Sequence, residues 1–202
     1  MPPPPGSPEP WMQQTLQQGY ARLAQGDRQG AADCCRRVLT ARPDLPEGHF
    51  LVGLVAADSN DLGTAVQAFG SVTKLAPEHG AAWAQLARLF MRLGHINRAD
   101  EALARAVQHQ DGNPVVQDAI ATVHTLLGDT AAAATWLQRA VAQQPRNVAF
   151  RINLANNQMF SGDFDAARDS LQCALAEQPE NANAHWLLSG LDRARDDSHV
   201  QQ

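Results

Sequence analysis

Seven histidines and three cysteines are the residues of this chain best suited to chemistry, and their spacing favours neither metal binding nor catalysis. Histidine and cysteine at short fixed spacings bind zinc, and either one beside a suitable base becomes part of a nucleophilic site. Here the histidines are scattered singly, no Cys-x-x-Cys pair occurs, and no glycine-rich phosphate loop is present. The sequence therefore predicts a chain that is not an enzyme and has no catalytic residues, no cofactor and no metal. The residues considered are His49, His79, His95, His109, His124, His185, His199, Cys34, Cys35 and Cys173.

Composition and charge restrict the partners and the compartment. The net charge is −5 and the pI is about 5.7, so no basic surplus is available for a phosphate backbone and a nucleic-acid partner is not expected. Three cysteines, two of them adjacent, do not make a disulfide framework, which favours a reducing, cytoplasmic location. The first ten residues, MPPPPGSPEP, lack the basic and apolar stretches of a secretion signal. We also expect no membrane span, because no window is long and apolar enough.

The elements that would position a binding site are defined by an internal repeat of 34 residues. At this spacing one column is invariant alanine and a second holds only small residues. A third holds glycine or asparagine, a fourth is mostly proline, and a fifth is mostly bulky and apolar. The five columns are Ala31, Ala65, Ala99, Ala133, Ala167; Gly19, Gly53, Ala87, Ala121, Ala155; Gly26, Asn60, Gly94, Gly128, Gly162; Pro43, Pro77, Asp111, Pro145, Pro179; and Cys35, Phe69, Leu103, Leu137, Leu171.

Each column has a physical role in a repeated pair of helices. Small residues allow two helices to cross closely, and glycine or asparagine ends the first helix in a left-handed turn. An aspartate follows that turn in four copies and caps the second helix, and a proline after the second helix redirects the chain. One such pair cannot bury its apolar face alone, whereas stacked pairs can. The columns therefore predict an all-α chain of stacked helix pairs. The four aspartates are Asp27, Asp61, Asp129 and Asp163.

These columns resemble the tetratricopeptide repeat (TPR) family, most clearly in residues 81–107 and 154–179. The resemblance implies a right-handed superhelical solenoid of five helix-turn-helix repeats followed by a C-terminal helix. The chain then divides into a Pro-rich disordered tail (1–11), five repeats (12–45, 46–79, 80–113, 114–147 and 148–181) and a capping helix with a tail (182–202). The motif residues are Trp83, Leu86, Ala87, Phe90, Gly94, Ala99 and Ala106 in the first stretch, and Gly162, Ala167, Leu171, Ala174 and Pro179 in the second.

The same resemblance implies a non-catalytic scaffold that binds a protein or peptide partner in a concave groove. In such repeats the first helix of each pair lines the groove, which here would be apolar at both ends and polar in the middle. Arg88 and Asp118 are the candidate charged anchors. A homo-oligomer stays open as an alternative, because residues 50–57 are apolar all round. The residues predicted to line the groove are Leu16, Tyr20, Phe50, Leu54, Arg88, Met91, Asp118, Thr122, Ile152, Asn156, Met159, Phe160 and Trp186.

Two specialised binding modes of the family are not favoured. One uses a cluster of Lys and Asn on first helices to clamp a C-terminal carboxylate, but the only lysine here, Lys74, falls in a second helix. The other uses a ladder of asparagines along the groove, as in O-linked sugar transferases. The corresponding column of this chain holds a single asparagine, Asn153.

Residues 185–202 resemble the junction of bacterial fusion proteins in which TPR repeats precede a sulfotransferase domain. The matching elements are His185 with Trp186, the leucine pair that follows them, and residues 197–200. This resemblance implies an alternative function, as the N-terminal part of a bacterial sulfotransferase that recruits its substrate or partner. The helix of this segment has four large apolar residues within six positions, more than one helix face can bury, so we expect some of them to await a further domain or partner.

Overall fold

The computed structural model describes the backbone of residues 8–198 and the side chains of residues 8–193. Within this range the chain forms eleven α-helices and no strand, which confirms the all-α prediction. Most of the predicted N-terminal tail lies outside the described residues, and α1 begins at Pro10. Most of the segment 197–200 that resembles the sulfotransferase junction lies outside them too. The helices are α1 Pro10–Ala24, α2 Arg28–Ala41, α3 Pro46–Asp58, α4 Leu62–Leu75, α5 Gly80–Arg92, α6 Ile96–Gln108, α7 Pro114–Leu126, α8 Thr130–Gln143, α9 Val148–Phe160, α10 Phe164–Glu177 and α11 Ala182–Ser198.

The helices pair in chain order and form two compact units. Unit 1 ends at His109 and holds three pairs, α1 with α2, α3 with α4, and α5 with α6. Unit 2 begins at Gln110 and holds α7 with α8, α9 with α10, and the final helix α11 packed against α10. None of the helices in the described range is both long enough and apolar enough to cross a bilayer.

The turns inside the pairs are built by the residues that the sequence pattern singled out. Each first helix is followed by a residue with positive φ, a conformation that glycine adopts freely and asparagine adopts more readily than other residues. In four of the five turns the next residue is an aspartate, which accepts a hydrogen bond from the backbone N–H three residues later and so caps the second helix; the third turn has His95, without a side-chain cap. The residues with positive φ are Gly26, Asn60, Gly94, Gly128 and Gly162, and the caps are Asp27, Asp61, Asp129 and Asp163.

Within a pair, the small-residue column and the bulky column fit each other. The Phe69 ring lies so close to Gly53 that a Cβ atom there would be 2.6 Å from it. The three later pairs hold alanine in the small column and leucine in the bulky one. The extra volume of phenylalanine is therefore accommodated by the missing methyl group of glycine.

Each unit has its own apolar core. In unit 1 the side chains of α1 pack with Cys35, Val38 and Leu51. In unit 2, Leu187 and Leu191 of α11 pack on Leu171 and the rest of the last complete pair, while Trp186 remains 68% exposed. Helix α11 therefore covers the end of the last complete pair with one apolar face and leaves its tryptophan on the outside.

Candidate functional site

In unit 2 a cleft between α7 and α9 brings together three of the predicted groove residues, Thr122, Asn156 and Phe160. Its volume is about 340 Å³. The residues meet there because they recur at spacings of three and four on each helix and so share one face. The cleft is also lined by Thr125, Leu126, Leu137, Asn153 and Asn157.

Asn157 is the most unusual side chain of this cleft. It is 1% exposed, and neither its amide oxygen nor its amide nitrogen has a hydrogen-bond partner within the described part of the chain. A buried polar group without a partner costs about 1–3 kcal/mol of folding free energy. The repeat gives no packing reason for this polarity, since Val55, Leu89 and Val123 occupy the same position in other pairs. The sequence prediction missed Asn157, although a polar residue in an apolar column was a signal that could have found it.

The other polar groups of the cleft are held in place by neighbouring groups. Asn153 donates a hydrogen bond from Nδ2 to Oδ1 of Asp118 over 2.8 Å. The hydroxyl groups of Thr122 and Thr125 donate to carbonyl oxygens of the preceding turn of α7, each over 3.0 Å. Their oxygens keep lone pairs that can accept hydrogen bonds from a ligand. Together with the half-buried amide of Asn156, the cleft presents donors and acceptors of the kind that match a peptide backbone, and the amide of Asn157 lies directly beneath them.

Two further features extend the cleft. At its edge the Phe160 side chain is 73% exposed and provides an apolar surface next to the amides. Asn153 also lines a second cavity of about 540 Å³, which continues past the first residues of α9 to Asn147, Asn181 and Asn183. The face of α9 is therefore bordered by asparagine side chains along much of its length.

Two predicted groove residues are core residues in the structure. Leu16 is 5% exposed and packs with Met12 and Leu51, and Ile152 is 7% exposed and packs with Leu171 and Leu187. Both are buried because the next helix pair or α11 covers that side of the helix. Met159 is half-buried against the same unit 2 core as Ile152. Neither Leu16 nor Ile152 offers much surface to a partner.

The remaining predicted residues of unit 1 lie at half-buried or exposed positions. Phe50 is half-buried, with its ring 5.4 Å from the Phe69 ring and 4.9 Å from the His79 ring. Leu54 and Met91 are half-buried, and Arg88 donates from Nη2 to Oε1 of Gln85 over 2.8 Å.

Tyr20 also belongs to unit 1 and is 38% exposed. Partial desolvation raises the pKa of its hydroxyl to about 12, with smaller contributions from Cys35 and Glu47. The hydroxyl is therefore a neutral donor and acceptor at physiological pH.

The chain resembles TPR proteins in its family models and in its fold. The family models described as tetratricopeptide repeats match residues 16–79, 56–123 and 125–191. A thermophilic TPR protein of Thermus thermophilus superposes with a TM-score of 0.78 at 19% identity, covering 89% of this chain and 98% of that one. PilF of Pseudomonas aeruginosa gives 0.69 at 15% identity, covering 93% and 86%.

A structure of the APC/C hetero-tetramer Cut9–Hcn1 gives a TM-score of 0.78 at 19% identity, covering 91% of this chain and 37% of that one. No curated protein sequence matches this chain significantly. Identities this low establish the fold and not a shared partner. Because the family models match most of its length, the chain belongs to the tetratricopeptide repeat family.

Proposed function

We propose that this chain is a protein-interaction scaffold that binds an extended segment of a partner protein in the cleft between α7 and α9. The observation that carries this proposal is the buried amide of Asn157, which has no partner in the described residues and lines a cleft rich in other polar groups. A peptide that opens the cleft enough to reach this buried amide would satisfy it with a main-chain N–H and C=O and recover the free energy that it costs. The exposed Phe160 ring would add an apolar contact beside those hydrogen bonds.

Three free cysteines suit a reducing compartment, so we also propose a cytoplasmic location.

The alternative of a homo-oligomer differs from peptide binding in one measurable respect. Self-association would raise the sedimentation coefficient of the pure protein with concentration, whereas a peptide-binding scaffold sediments independently of concentration.

The test begins with a library of random peptides selected on the wild-type protein, because no partner sequence is assumed. The selected peptides are labelled, and their affinities are measured by fluorescence polarisation with the wild type and with Asn156→Ala. We expect Asn156→Ala to weaken binding about tenfold, the value of one lost hydrogen bond in a desolvated site. Asn97→Ala, which removes the same amide from the exposed start of α6, is the matched control and should leave binding unchanged.

N-methylation of single peptide bonds distinguishes main-chain recognition from side-chain recognition. A peptide held by main-chain hydrogen bonds loses affinity when the peptide bond that faces Asn156 and Asn157 is N-methylated. Two results together would place the binding site elsewhere and overturn the proposal. One is that Asn156→Ala binds the selected peptides as tightly as the wild type, and the other is that no N-methylated peptide loses affinity.

A further inference from the structure

A second groove lies in unit 1, between α4 and α6, with α5 as its floor. Its volume is about 680 Å³. The floor is formed by Trp83, Leu86 and Phe90, which lie three and four residues apart and so share one face of α5. The predicted concave-groove residues Arg88 and Met91 belong to a different face of the same helix. The α4–α6 groove also shares no lining residue with the α7–α9 cleft that the proposed function uses.

The walls of the α4–α6 groove are cationic, although the chain as a whole is acidic. Lys74 of α4 and Arg98 and Arg105 of α6 line it, against the single carboxylate of Glu101. The groove thus has a formal charge of +2 in a chain of net charge −5. Neither Lys74 nor Arg105 forms an ion pair or hydrogen bond with any described side chain, so both charges remain available.

The floor and the walls are linked by one cation–aromatic contact. The guanidinium carbon of Arg98 lies 4.1 Å from the centroid of the Phe90 ring. Such stacking holds the guanidinium in place while leaving its N–H groups directed outward. Arg98 is therefore pre-positioned for a carboxylate, and Lys74 and Arg105 supply point charges on either side of the groove.

The equivalent groove one repeat earlier shows that helix packing does not require these charges. It lies between α2 and α4 with α3 as its floor, and its volume is about 380 Å³. There the positions of Lys74, Arg98 and Arg105 are occupied by Thr40, Thr64 and Ser71. The corresponding positions of unit 2 hold Ala142, Ala166 and Cys173.

A comparison of the floors supports the same conclusion. Phe90 and Trp83 correspond to Ala56 and His49 of the earlier repeat and to Gln158 and Arg151 in unit 2. Arginine recurs at the Arg105 position, in Arg37 and Arg139, but Lys74 and Arg98 together with two large aromatic side chains occur in this groove and not in the two compared, and repeat packing does not account for them.

We propose that the α4–α6 groove binds an acidic segment of a partner protein that carries a large apolar side chain. Carboxylates of the segment pair with Lys74, Arg98 and Arg105. The apolar side chain packs on Trp83, the half-buried residue of a floor in which Leu86 and Phe90 are 4% and 6% exposed. A peptide is favoured over a nucleic acid because three cations form a small electrostatic footprint, and the net negative charge of the chain repels a long polyanion. The apolar floor also suits a side chain better than a phosphate backbone.

The test uses a fluorescein-labelled peptide in which a Leu-Phe pair is flanked by aspartate and glutamate. Its binding to the intact chain is measured by fluorescence polarisation at low salt. A peptide with asparagine and glutamine in place of the acids, and a single-stranded oligouridine of similar length, serve as comparison probes. We expect the acidic peptide to bind, the neutral peptide to bind at least tenfold more weakly, and the RNA to bind more weakly than the acidic peptide.

Two variants locate the binding site. Arg105→Glu should weaken the acidic peptide about tenfold or more, whereas Arg37→Glu, which changes the charge equally on the exposed face of α2, should leave it nearly unchanged. Gly70→Phe should block the groove, because Gly70 lines it and a Cβ atom added there would have no heavy atom of another residue within 4 Å beyond its chain neighbours and the backbone of its own helix. The helix tolerates this change, as glycine is the poorer helix former, and urea unfolding checks it.

Several outcomes overturn the proposal. One is the absence of peptide binding by the wild type, and another is an equal loss of binding by Arg105→Glu and Arg37→Glu, which marks a non-specific charge effect. The proposal is also overturned if Gly70→Phe binds the acidic peptide as tightly as the wild type. It is overturned as well if the oligouridine binds more tightly than the acidic peptide and loses affinity with Arg105→Glu and Gly70→Phe. Because Asn156→Ala leaves this groove intact, binding of the acidic peptide by that variant separates the two proposed surfaces.

Discussion

Replacing Asn157 with leucine should stabilise the protein and at the same time weaken its peptide binding. Leucine branches at Cγ as asparagine does, with two methyl groups where asparagine has its amide oxygen and nitrogen. The repeat already contains this solution, since Leu89 occupies the same position in α5 and is 1% exposed. The change therefore removes a polar group from a site that the fold can fill with an apolar one.

The expected gain follows from the burial of the amide. A desolvated amide without a partner costs about 1–3 kcal/mol, and that cost is absent with leucine. In the unfolded chain the asparagine is hydrated, so the cost falls on the folded state alone and its removal raises the free energy of unfolding. With a urea dependence of about 2 kcal/mol per M, a gain of about 2 kcal/mol moves the unfolding midpoint up by about 1 M.

The assay is urea unfolding followed by the circular dichroism of the helices, with Asn156→Leu as the control. Asn156 is only half-buried, so leucine there should change stability by less than about 0.5 kcal/mol while removing the same amide from the cleft. An unchanged or lowered midpoint for Asn157→Leu would refute the reasoning, because it would mean that the Asn157 amide is satisfied in solution. Both variants should lose affinity for the selected peptides.

Two sets of substitutions and one test of cysteine ionisation examine the packing of the repeats. Gly53→Ala should destabilise the chain by about 1–3 kcal/mol in urea unfolding, because its Cβ meets the Phe69 ring, and adding Phe69→Leu should recover most of that loss. Asn60→Ala should cost about 1–2 kcal/mol, whereas Asn60→Gly should cost less, since φ is 60° there. Desolvation by burial, with a smaller electrostatic contribution from the neighbouring Cys34, raises the pKa of the Cys35 thiol to about 12. Native protein should therefore react with Ellman's reagent at Cys173 and not at Cys35, and stability should fall as the pH rises from about 9 towards 12, because only the unfolded chain then releases the Cys35 proton.

The helix pairs and their turns were predictable from the sequence because local chemistry determines them. A left-handed residue followed by an aspartate specifies a helix end and a helix start within a few residues, as at Gly128 and Asp129. Such signals do not depend on the rest of the chain. The 34-residue period then repeats the same turn five times, so an exception such as Asn60 could be interpreted from its neighbours.

The binding surface was less predictable, because periodicity gives the face of a helix and not the depth of a side chain. Leu16 and Ile152 share the predicted face with Thr122 and Asn156, yet the next helix pair or α11 covers them. Depth depends on how far the neighbouring helices extend over that face. A column comparison across repeats cannot supply this information, since the same column is covered in one repeat and open in another.

A departure from a repeat column indicates function only when nothing else in the chain compensates for it. Phe69 departs from the leucines of its column, but Gly53 departs from the alanines of the opposing column and makes room for the ring. This pair is a packing solution and needs no ligand to explain it. Asn157 also departs from its column, and no described neighbour supplies the hydrogen bonds that its amide lacks.

The same criterion applies to the α4–α6 groove. Lys74 departs from a neutral column, and neither Lys74 nor Arg105 has a carboxylate to pair with in the described chain. The counterparts at Thr40 and Ser71 show that packing is satisfied by neutral residues at these positions. In both surfaces the missing interaction has a definite chemistry, amide hydrogen bonds in one and carboxylates in the other. The two proposed partners therefore differ in kind, which is why a variant of one surface should leave binding at the other unchanged.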